Sequence, residues 1–201
     1  MQKPQRIILA SDISGLGKVA VTAALPLFAI CQLEVAVLPT VLLSSHTGGF
    51  LDVFIEDYTY GMQAFLKQWQ SLNIQFSGLV TGYLKSSQQI ASLMKFKEKE
   101  EIPLIVDPIM GDNGKLYQGF DTSYVDSMRS LCQKADLILP NLTEACLLAE
   151  VAYEDKVLTE EFLQLLTQRL ATVVGTRRIV LTGLLLSDDQ IGIAYFDKVE
   201  G

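Results

Sequence analysis

The sequence has little of what marks nucleic-acid-binding or membrane proteins. Of its 201 residues, 16 are Lys or Arg against 23 Asp or Glu, and the resulting net charge of −7 repels the phosphate backbone of DNA and RNA. The longest apolar region, residues 19–31, is interrupted by Thr22 and Pro26 and is shorter than the roughly 20 residues that span a bilayer. We therefore expect neither a nucleic-acid partner nor a membrane partner.

Cysteine and export signals are also scarce. Cys31, Cys132 and Cys146 make an odd number without C-x-x-C spacing, which favours buried thiols over a disulfide framework or a zinc site. Near the N-terminus, Ser11 and Asp12 interrupt an apolar stretch that is too short for a signal peptide. The expected location is the cytoplasm.

Apolar residues are plentiful, at 49% of the chain, and predict one globular domain over residues 1–201. Short apolar runs, too continuous for amphipathic helices, predict buried parallel strands. These runs lie at residues 6–10, 34–38, 75–81, 103–106, 137–139 and 178–181, with a further alternating segment at 190–199. Three-to-four apolar spacing predicts helices within residues 54–72 and 162–173. The alternation indicates an α/β fold with an open, mostly parallel sheet and helices on both faces.

Ligands of such sheets bind beyond the carboxyl ends of the strands, so the residues that follow each strand are the candidates for chemistry. After the first strand, Gly15, Gly17 and Ala20 match a dinucleotide fingerprint weakly. Two features oppose that interpretation: four residues separate the strand from Gly15, and the acidic Glu34 precedes the second strand instead of following it. A glycine turn that leads into a helix is the simpler alternative.

The second strand leads to a run of hydroxyls around His46, the single histidine of the chain. Thr47 and His46 are candidates for binding the hydroxyl groups of a small molecule. A lone histidine in a turn is more often a packing or capping residue, and Thr47 is an equally good candidate.

Acidic residues follow the fourth and fifth strands. Asp107 and Asp112 lie in a Gly/Asn loop, where the oxygens suit Mg²⁺, although a solvated loop capped by Asp107 is an alternative. Asn141, Thr143 and Glu144 open a helix, as an N-cap would. Because Asp107 and Glu144 follow strands expected to be close in space, they repel each other unless a cation or a proton lies between them. A site for magnesium and phosphate explains both.

Taken together, these motifs resemble the ribokinase-like small-molecule kinases and, within them, the pyridoxal and pyridoxamine (vitamin B6) kinases. The motifs run in the family's order: LPT at 38–40 leading to HTG at 46–48, TGY at 81–83, DPIMGD at 107–112 and LPNLTE at 139–144. The resemblance covers nearly all of the chain. It implies a ribokinase-like kinase domain that phosphorylates the 5′-hydroxymethyl group of a B6 vitamer with ATP, as a homodimer.

The same resemblance implies a role for each matching residue. Ser11, Thr47 and Tyr83 correspond to residues that bind the vitamer, and Asn141, Glu144 and Thr182 to residues on the nucleotide side. Asp107, Asp112 and Glu144 correspond to the acidic cluster around Mg²⁺ and the ATP phosphates, with a monovalent cation as a further option. Residues 111–121, including Asp112, Lys115 and Tyr117, correspond to a flexible lid.

One departure from the family concerns catalysis. The family's general base is an aspartate in a Gly-Thr-Gly-Asp motif, which these 201 residues do not contain, so we expect it beyond Gly201. We accordingly expect the chain as given to be nearly inactive. Three alternatives stay open: a hydroxymethylpyrimidine kinase of thiamine synthesis, a non-catalytic vitamer-binding protein, and a nucleotide-dependent oxidoreductase that uses Gly15 and Gly17.

Overall fold

A computed structural model describes residues 5–154, 158–187 and 189–198. Two compact units make up the chain, Met1–Leu104 and Ile105–Gly201. Each unit contains parallel strands joined by helices, as expected where apolar strand runs alternate with amphipathic helical segments. The prediction of one domain over residues 1–201 stays a prediction.

The first unit is built on four strands in the order β4-β1-β2-β3. Its elements are β1 (Arg6–Ser14), α1 (Ala20–Ile30), β2 (Glu34–Leu43), β3 (Ile55–Asp57), α2 (Thr59–Ser71), β4 (Gly78–Thr81) and α3 (Ser87–Glu100). Strand β1 pairs in parallel with both β2 and β4, and β3 runs antiparallel to β2. Ser11 therefore lies where β1 leaves its pairing with β4, at the carboxyl edge.

The second unit has its own strands in the order β5-β8-β9-β10 and a separate hairpin of β6 and β7. Its elements are β5 (Leu104–Val106, whose first residue is the last of the first unit), β6 (Gly111–Asp112), β7 (Lys115–Leu116), α4 (Thr122–Cys132), β8 (Leu137–Ile138), α5 (Leu142–Ala149), α6 (Glu160–Val174), β9 (Arg178–Ser187) and β10 (Gln190–Asp197). Strands β5, β8 and β9 are parallel, and β10 is antiparallel to β9. Asp107 and Leu139 thus directly follow β5 and β8, and Thr182 lies within β9, just past the residues that pair with β8.

The predicted fold class is confirmed, because the main strands are mostly parallel and are joined by helices in an open α/β arrangement. The central strands supply the core: Ile8, Leu79, Val106, Ile138 and Ile179 are at most 1% exposed. Their continuous apolar runs are typical of strands buried on both faces.

The structure differs from the predicted elements mainly around α2. The apolar pattern over residues 54–72 predicts one helix, but β3 occupies residues 55–57 and α2 begins only at Thr59. Three-residue β3 pairs with residues 41–43 of β2, and this tertiary pairing overrides the helical spacing of Phe54 and Tyr58. Strand β4 begins at Gly78 instead of residue 75, and the predicted end of the last strand at Val199 lies outside the described residues.

The cysteines agree only in part with the prediction of buried thiols. Cys132 and Cys146 are buried. Cys31 is exposed, because it lies at the C-cap of α1 and not at a core position. All three are free thiols. In the described part of the chain, every helix is too short or too polar to cross a bilayer.

Two leucines of the first unit test the assignment of the core. Leu79 is 1% exposed in β4, whereas Leu51 is 92% exposed in a loop. We expect Leu79→Ala to lower the free energy of unfolding by about 2–5 kcal/mol, through lost burial and the cavity that remains. The matched control Leu51→Ala should stay within about 0.5 kcal/mol of the wild type. Urea unfolding followed by circular dichroism measures both, and equal losses would contradict the assignment.

Candidate active site

An acidic cleft of about 360 Å³ in the second unit is lined by side chains from the ends of its strands and from α5. Its lining residues are Asp107, Ile109, Tyr117, Leu139, Asn141, Glu144 and Thr182. The cleft therefore brings together Asp107, Glu144, Asn141 and Thr182, which the sequence separates by up to 75 positions (182 − 107). None of these seven residues is a lysine or an arginine.

Asn141 and Glu144 form the N-terminal cap of α5. The backbone N–H of Glu144 donates to Oδ1 of Asn141 at 2.9 Å, and the backbone N–H of Asn141 donates to Oε2 of Glu144 at 2.9 Å. This reciprocal capping box satisfies amides that the first helical turn leaves without partners. The alternative interpretation of Asn141 and Glu144 as capping residues is thus part of the structure, and the cap holds Glu144 at the cleft.

The Glu144 carboxylate is only 3% exposed and also binds the loop that follows β5. The backbone N–H of Met110 donates to Oε1 of Glu144 at 3.3 Å. Burial raises the pKa of Glu144 to about 8, and the nearby charge of Asp107 adds to the rise. An anion at this position is therefore disfavoured until a positive charge compensates it.

Asp107 faces the same cleft immediately after β5. Burial raises the pKa of its carboxyl group to about 6. Two carboxylates of raised pKa beside a neutral amide and a hydroxyl supply hard oxygen ligands, and no cationic side chain among the lining residues competes for them. The donor set fits Mg²⁺ shared with phosphate oxygens.

Asp112 and Lys115 do not line the acidic cleft. They pair across the β6–β7 hairpin, whose turn residues Asn113 and Gly114 have φ of 51° and 73°. Positive φ at both positions is the type I′ geometry that suits a two-residue hairpin. The exposed Asp112 carboxylate accepts hydrogen bonds from the backbone and side-chain nitrogens of Asn113, at 2.8 and 3.1 Å.

In the described ranges, no group of three or more His, Cys, Asp or Glu side chains is arranged to hold a metal ion. Asp107 and Glu144 share the cleft, but the exposed carboxylate of Asp112 belongs to its own turn. The role of Asp112 as a third metal ligand stays a prediction. Any cation here must take its remaining ligands from elsewhere, as Mg²⁺ commonly does from water and phosphate.

The β6–β7 hairpin is docked on the N-terminal turn of α5. The backbone N–H of Gly114 donates to the Thr143 hydroxyl at 2.9 Å, and Asn141 Nδ2 donates to the carbonyl of Gly111 at 3.0 Å. A Cβ atom at Gly114 would come within 2.6 Å of the Tyr153 ring, so this close approach requires glycine. These contacts hold the hairpin beside the cleft, and its predicted motion as a lid stays a prediction.

Tyr117 follows the hairpin and contributes its side chain to the acidic cleft. Its backbone N–H donates to the carbonyl of Met110 at 2.9 Å, which fixes the return of the chain. Burial, followed by the charges of Asp112, Glu144 and Asp107, raises the pKa of the Tyr117 phenol. Of the three residues predicted for the lid, Tyr117 is therefore the one at the cleft.

A polar group in the first unit contains two of the predicted binding residues. The Ser11 hydroxyl donates to Oδ1 of Asp12 at 3.2 Å and accepts a hydrogen bond from the backbone N–H of Tyr83, also at 3.2 Å. A serine hydroxyl has one hydrogen and two lone pairs, so one lone pair of Ser11, a residue that is 3% exposed, has no partner among the described hydrogen bonds. Burial, with the charges of Asp12 and Asp57, raises the pKa of Tyr83.

Thr47 and His46 lie in the turn after β2. Thr47 is exposed, and neither of the hydrogen bonds described for the Ser11 hydroxyl involves it. The His46 ring packs edge-on against Phe50, with ring centroids 4.8 Å apart. A Cβ atom at Gly17, where φ is 99°, would approach Cδ2 of His46 to 2.5 Å, so packing against His46 is what requires glycine there.

The loop geometry weakens the dinucleotide alternative. The backbone N–H groups of Gly15 and Leu16 donate to the carbonyls of Leu43 and Ser44, at 2.8 and 3.1 Å. A pyrophosphate at a glycine-rich turn needs such N–H groups free. Here they extend the pairing of β1 with β2, and the next helix begins only at Ala20.

The sequence analysis did not predict some residues of the acidic cleft or one buried polar residue of the first unit. In the acidic cleft it missed the apolar walls, Ile109 and Leu139, and the backbone donor of Met110. In the first unit it missed Gln89, which is completely buried in α3. Gln89 lies on the buried face of α3 together with Ile90 and Leu93. A polar residue on such a face is the signal that could have identified it.

Comparisons with known proteins point to small-molecule kinases. Residues 58–198 match the phosphomethylpyrimidine kinase family. A Bacteroides thetaiotaomicron protein provisionally described as a phosphomethylpyrimidine kinase, whose crystal contains pyridoxal, is 31% identical; the match covers 99% of this chain and 70% of that one, with a TM-score of 0.90. For pyridoxal kinase from Lactobacillus plantarum the identity is 36%, the coverage 98% and 70%, and the TM-score 0.86.

A curated relative from Saccharomyces cerevisiae, provisionally named a pyridoxal kinase, is 27% identical over 174 residues. The match covers 81% of this chain and 54% of the yeast protein. The chain thus spans about half the length of the curated relatives it matches.

The raised pKa of Glu144 makes stability depend on pH. Folding raises the pKa of Asp107 from 3.8 to about 6 and that of Glu144 from 4.5 to about 8, so the folded state retains protons that the unfolded state releases. The free energy of unfolding should therefore fall as pH rises through this window. We expect Glu144→Gln to make the decline between pH 6 and 8 shallower, as measured by urea unfolding at several pH values. The exposed control Glu98→Gln should keep the wild-type slope, and a wild-type slope in Glu144→Gln would contradict the assignment.

Proposed function

The chain belongs to the phosphomethylpyrimidine kinase family, and on that basis we propose that it is part of an ATP-dependent kinase that phosphorylates the hydroxymethyl group of a vitamin B6 vitamer. At the level of the family, the resemblance to ribokinase-like pyridoxal kinases is confirmed. The substrate and the activity of the whole protein are the proposal.

The observation that carries the proposal is the shared position of Asp107, Glu144, Asn141 and Thr182 in one cleft. Phosphoryl transfer needs little covalent chemistry from a protein: it needs positioned reactants and compensation of the phosphate charge. The amide of Asn141 and the hydroxyl of Thr182 can hydrogen-bond phosphate oxygens. The N-terminus of α5, which carries the positive end of the helix dipole, lies beside them.

In this proposal Asp107 and Glu144 hold Mg²⁺ together with the phosphates. When bound there, the cation would neutralise phosphate oxygens and compensate the two buried carboxylates. Asp107 and Glu144 would ionise on binding, because their raised pKa values reflect burial without a positive partner. Tyr117 would screen the cleft from water on one side, which protects the phosphoryl group from hydrolysis.

The proposed vitamer site is the polar group around Ser11 and Tyr83. The lone pair that Ser11 retains can accept a hydrogen bond from a pyridinium N–H or a ring hydroxyl. The 31% identity to the Bacteroides protein, whose crystal contains pyridoxal, and the 36% identity to a Lactobacillus pyridoxal kinase support a B6 vitamer. Thr47 is retained in the proposal as a ligand-binding residue on the resemblance alone.

The family name favours a second candidate substrate, a hydroxymethylpyrimidine, whose ring nitrogens and hydroxymethyl group are chemically similar. The remaining parts of the proposal rest on resemblance: a homodimer, a cytoplasmic location, a monovalent cation as a further option and a lid formed by Asp112, Lys115 and Tyr117. The base that removes the hydroxyl proton is assigned to no residue of this chain.

Mg-ATP binding by the second unit tests the nucleotide half of the proposal. We expect Asp107→Asn to weaken Mg-ATP binding at least tenfold, because the variant loses one of two carboxylates that compensate the cation. The control Asp126→Asn removes an exposed carboxylate of α4 that pairs with Arg129 and should leave the affinity unchanged. Calorimetry with both variants checks this, and equal affinities for wild type and Asp107→Asn would contradict the site.

Competition between substrates tests the other half. In the natural protein we expect kcat/KM for pyridoxal to exceed that for hydroxymethylpyrimidine, and Ser11→Ala to lower kcat/KM for pyridoxal at least tenfold through the lost acceptor. A coupled assay of ADP release with each alcohol measures these ratios. A preference for hydroxymethylpyrimidine would replace the first candidate by the second, and ATP binding without phosphorylation of either would contradict the kinase proposal.

A further inference from the structure

Gln89 is a polar residue in an apolar place. It lies in the first turn of α3, it is 0% exposed, and its neighbours on the buried face of the helix are Ile90, Leu93 and Phe96. A buried amide without partners would destabilise the fold, so a residue of this kind is expected to be fully hydrogen-bonded.

The side-chain amide of Gln89 has partners on both its ends. Its Oε1 accepts a hydrogen bond from the backbone N–H of Lys85 at 2.8 Å. Its Nε2 donates to the carbonyl of Thr40 at 2.8 Å and to the hydroxyl of Thr59 at 3.0 Å. Both N–H groups and one oxygen lone pair are therefore used, and these partners come from β2, α2 and the segment before α3.

The segment at residues 83–85 is held by a short series of hydrogen bonds that meet at Gln89. The Thr40 hydroxyl donates to the carbonyl of Tyr83 at 2.7 Å, and the backbone N–H of Tyr83 donates to Ser11 at 3.2 Å. Gln89 binds Lys85 directly and binds Thr40 through its carbonyl. Gln89 thus holds Lys85 at one end of the segment. It also holds Thr40, whose hydroxyl binds Tyr83 at the other end.

We propose that Gln89 is a positioning residue: it sets the position of the 83–85 segment and thereby the geometry of Ser11 and Tyr83 toward the vitamer. The inference rests on the proposed function for the identity of the ligand. Gln89 itself does not touch the ligand and acts through Lys85 and Thr40. If the role of Gln89 were purely structural, Gln89 would only have to complete the hydrogen bonds of the buried network.

Thr59 offers a matched control within the same network. Like Gln89 and Thr40, it is buried, at 5% exposed, and its hydroxyl accepts from Gln89 and donates to Asp57. No hydrogen bond described for Thr59 reaches residues 83–85. Thr59→Val therefore removes a buried hydrogen bond of Gln89 while leaving the contacts with Lys85 and Thr40.

The test compares Gln89→Met, which has similar volume but neither donor nor acceptor, with Thr59→Val in the natural protein. We expect Gln89→Met to raise the Kd for pyridoxal at least tenfold and to change the Kd for Mg-ATP less than twofold. Thr59→Val should lower the melting temperature without changing either Kd more than twofold. Equal losses of pyridoxal affinity in both variants, or an unchanged affinity in folded Gln89→Met, would overturn the proposal.

Gln89→Asn covers the case in which Gln89→Met does not fold. It keeps the amide but is one methylene shorter, so it cannot reach Lys85 and Thr40 together, and we expect at least a threefold loss of pyridoxal affinity. Wild-type pyridoxal affinity in this variant would count against the proposal.

Amide hydrogen exchange separates this inference from the substrate assignment. Measured without ligand, exchange at Tyr83 and Lys85 should be faster in Gln89→Met and Gln89→Asn than in Thr59→Val. If the wild-type protein does not bind pyridoxal, the substrate assignment is wrong, and faster exchange in the Gln89 variants still supports the positioning role. Unchanged exchange in these variants would overturn that role, whatever the substrate is.

Discussion

The acidic cleft depends on one buried carboxylate, that of Glu144. It accepts hydrogen bonds from the backbone of Asn141 and from Met110, so a single side chain fixes both the start of α5 and the loop after β5. The same carboxylate lies near Asp107, and burial leaves both with raised pKa values. The Glu144 carboxylate therefore both organises the backbone around the acidic cleft and favours a cation there.

Helix α5 is held at both ends, which keeps this carboxylate in place. Its N-terminus has the capping box, and its last carbonyls accept hydrogen bonds from two arginines. Arg129 donates to the carbonyls of Leu147 and Leu148, and Arg169 donates to that of Ala149, at 3.0–3.3 Å. Cations at the carboxyl end of a helix complement the helix dipole. The eight-residue helix is thus a rigid support for the residues of the cleft.

The strands and the acidic residues that follow them were predictable because their signals are local. A continuous apolar run indicates a strand that is buried on both faces, and parallel strands bring their carboxyl ends to one edge. On this basis Asp107 and Glu144 were expected together, and both line the acidic cleft. The start of α2 at Thr59 was not predictable, because the pairing of β3 with β2 competes with the helical spacing and involves residues outside the segment.

The amino-acid order alone settles which residues end each strand and which can cap a helix, because strand periodicity and capping depend on neighbours a few positions away. It does not settle that the Asp112 carboxylate binds Asn113 in its own turn, how far the pKa of Glu144 rises, or that Gln89 binds Thr40 and Lys85 at once. These properties depend on burial and on hydrogen-bond partners from distant parts of the chain. Only tertiary packing removes the water and supplies those partners.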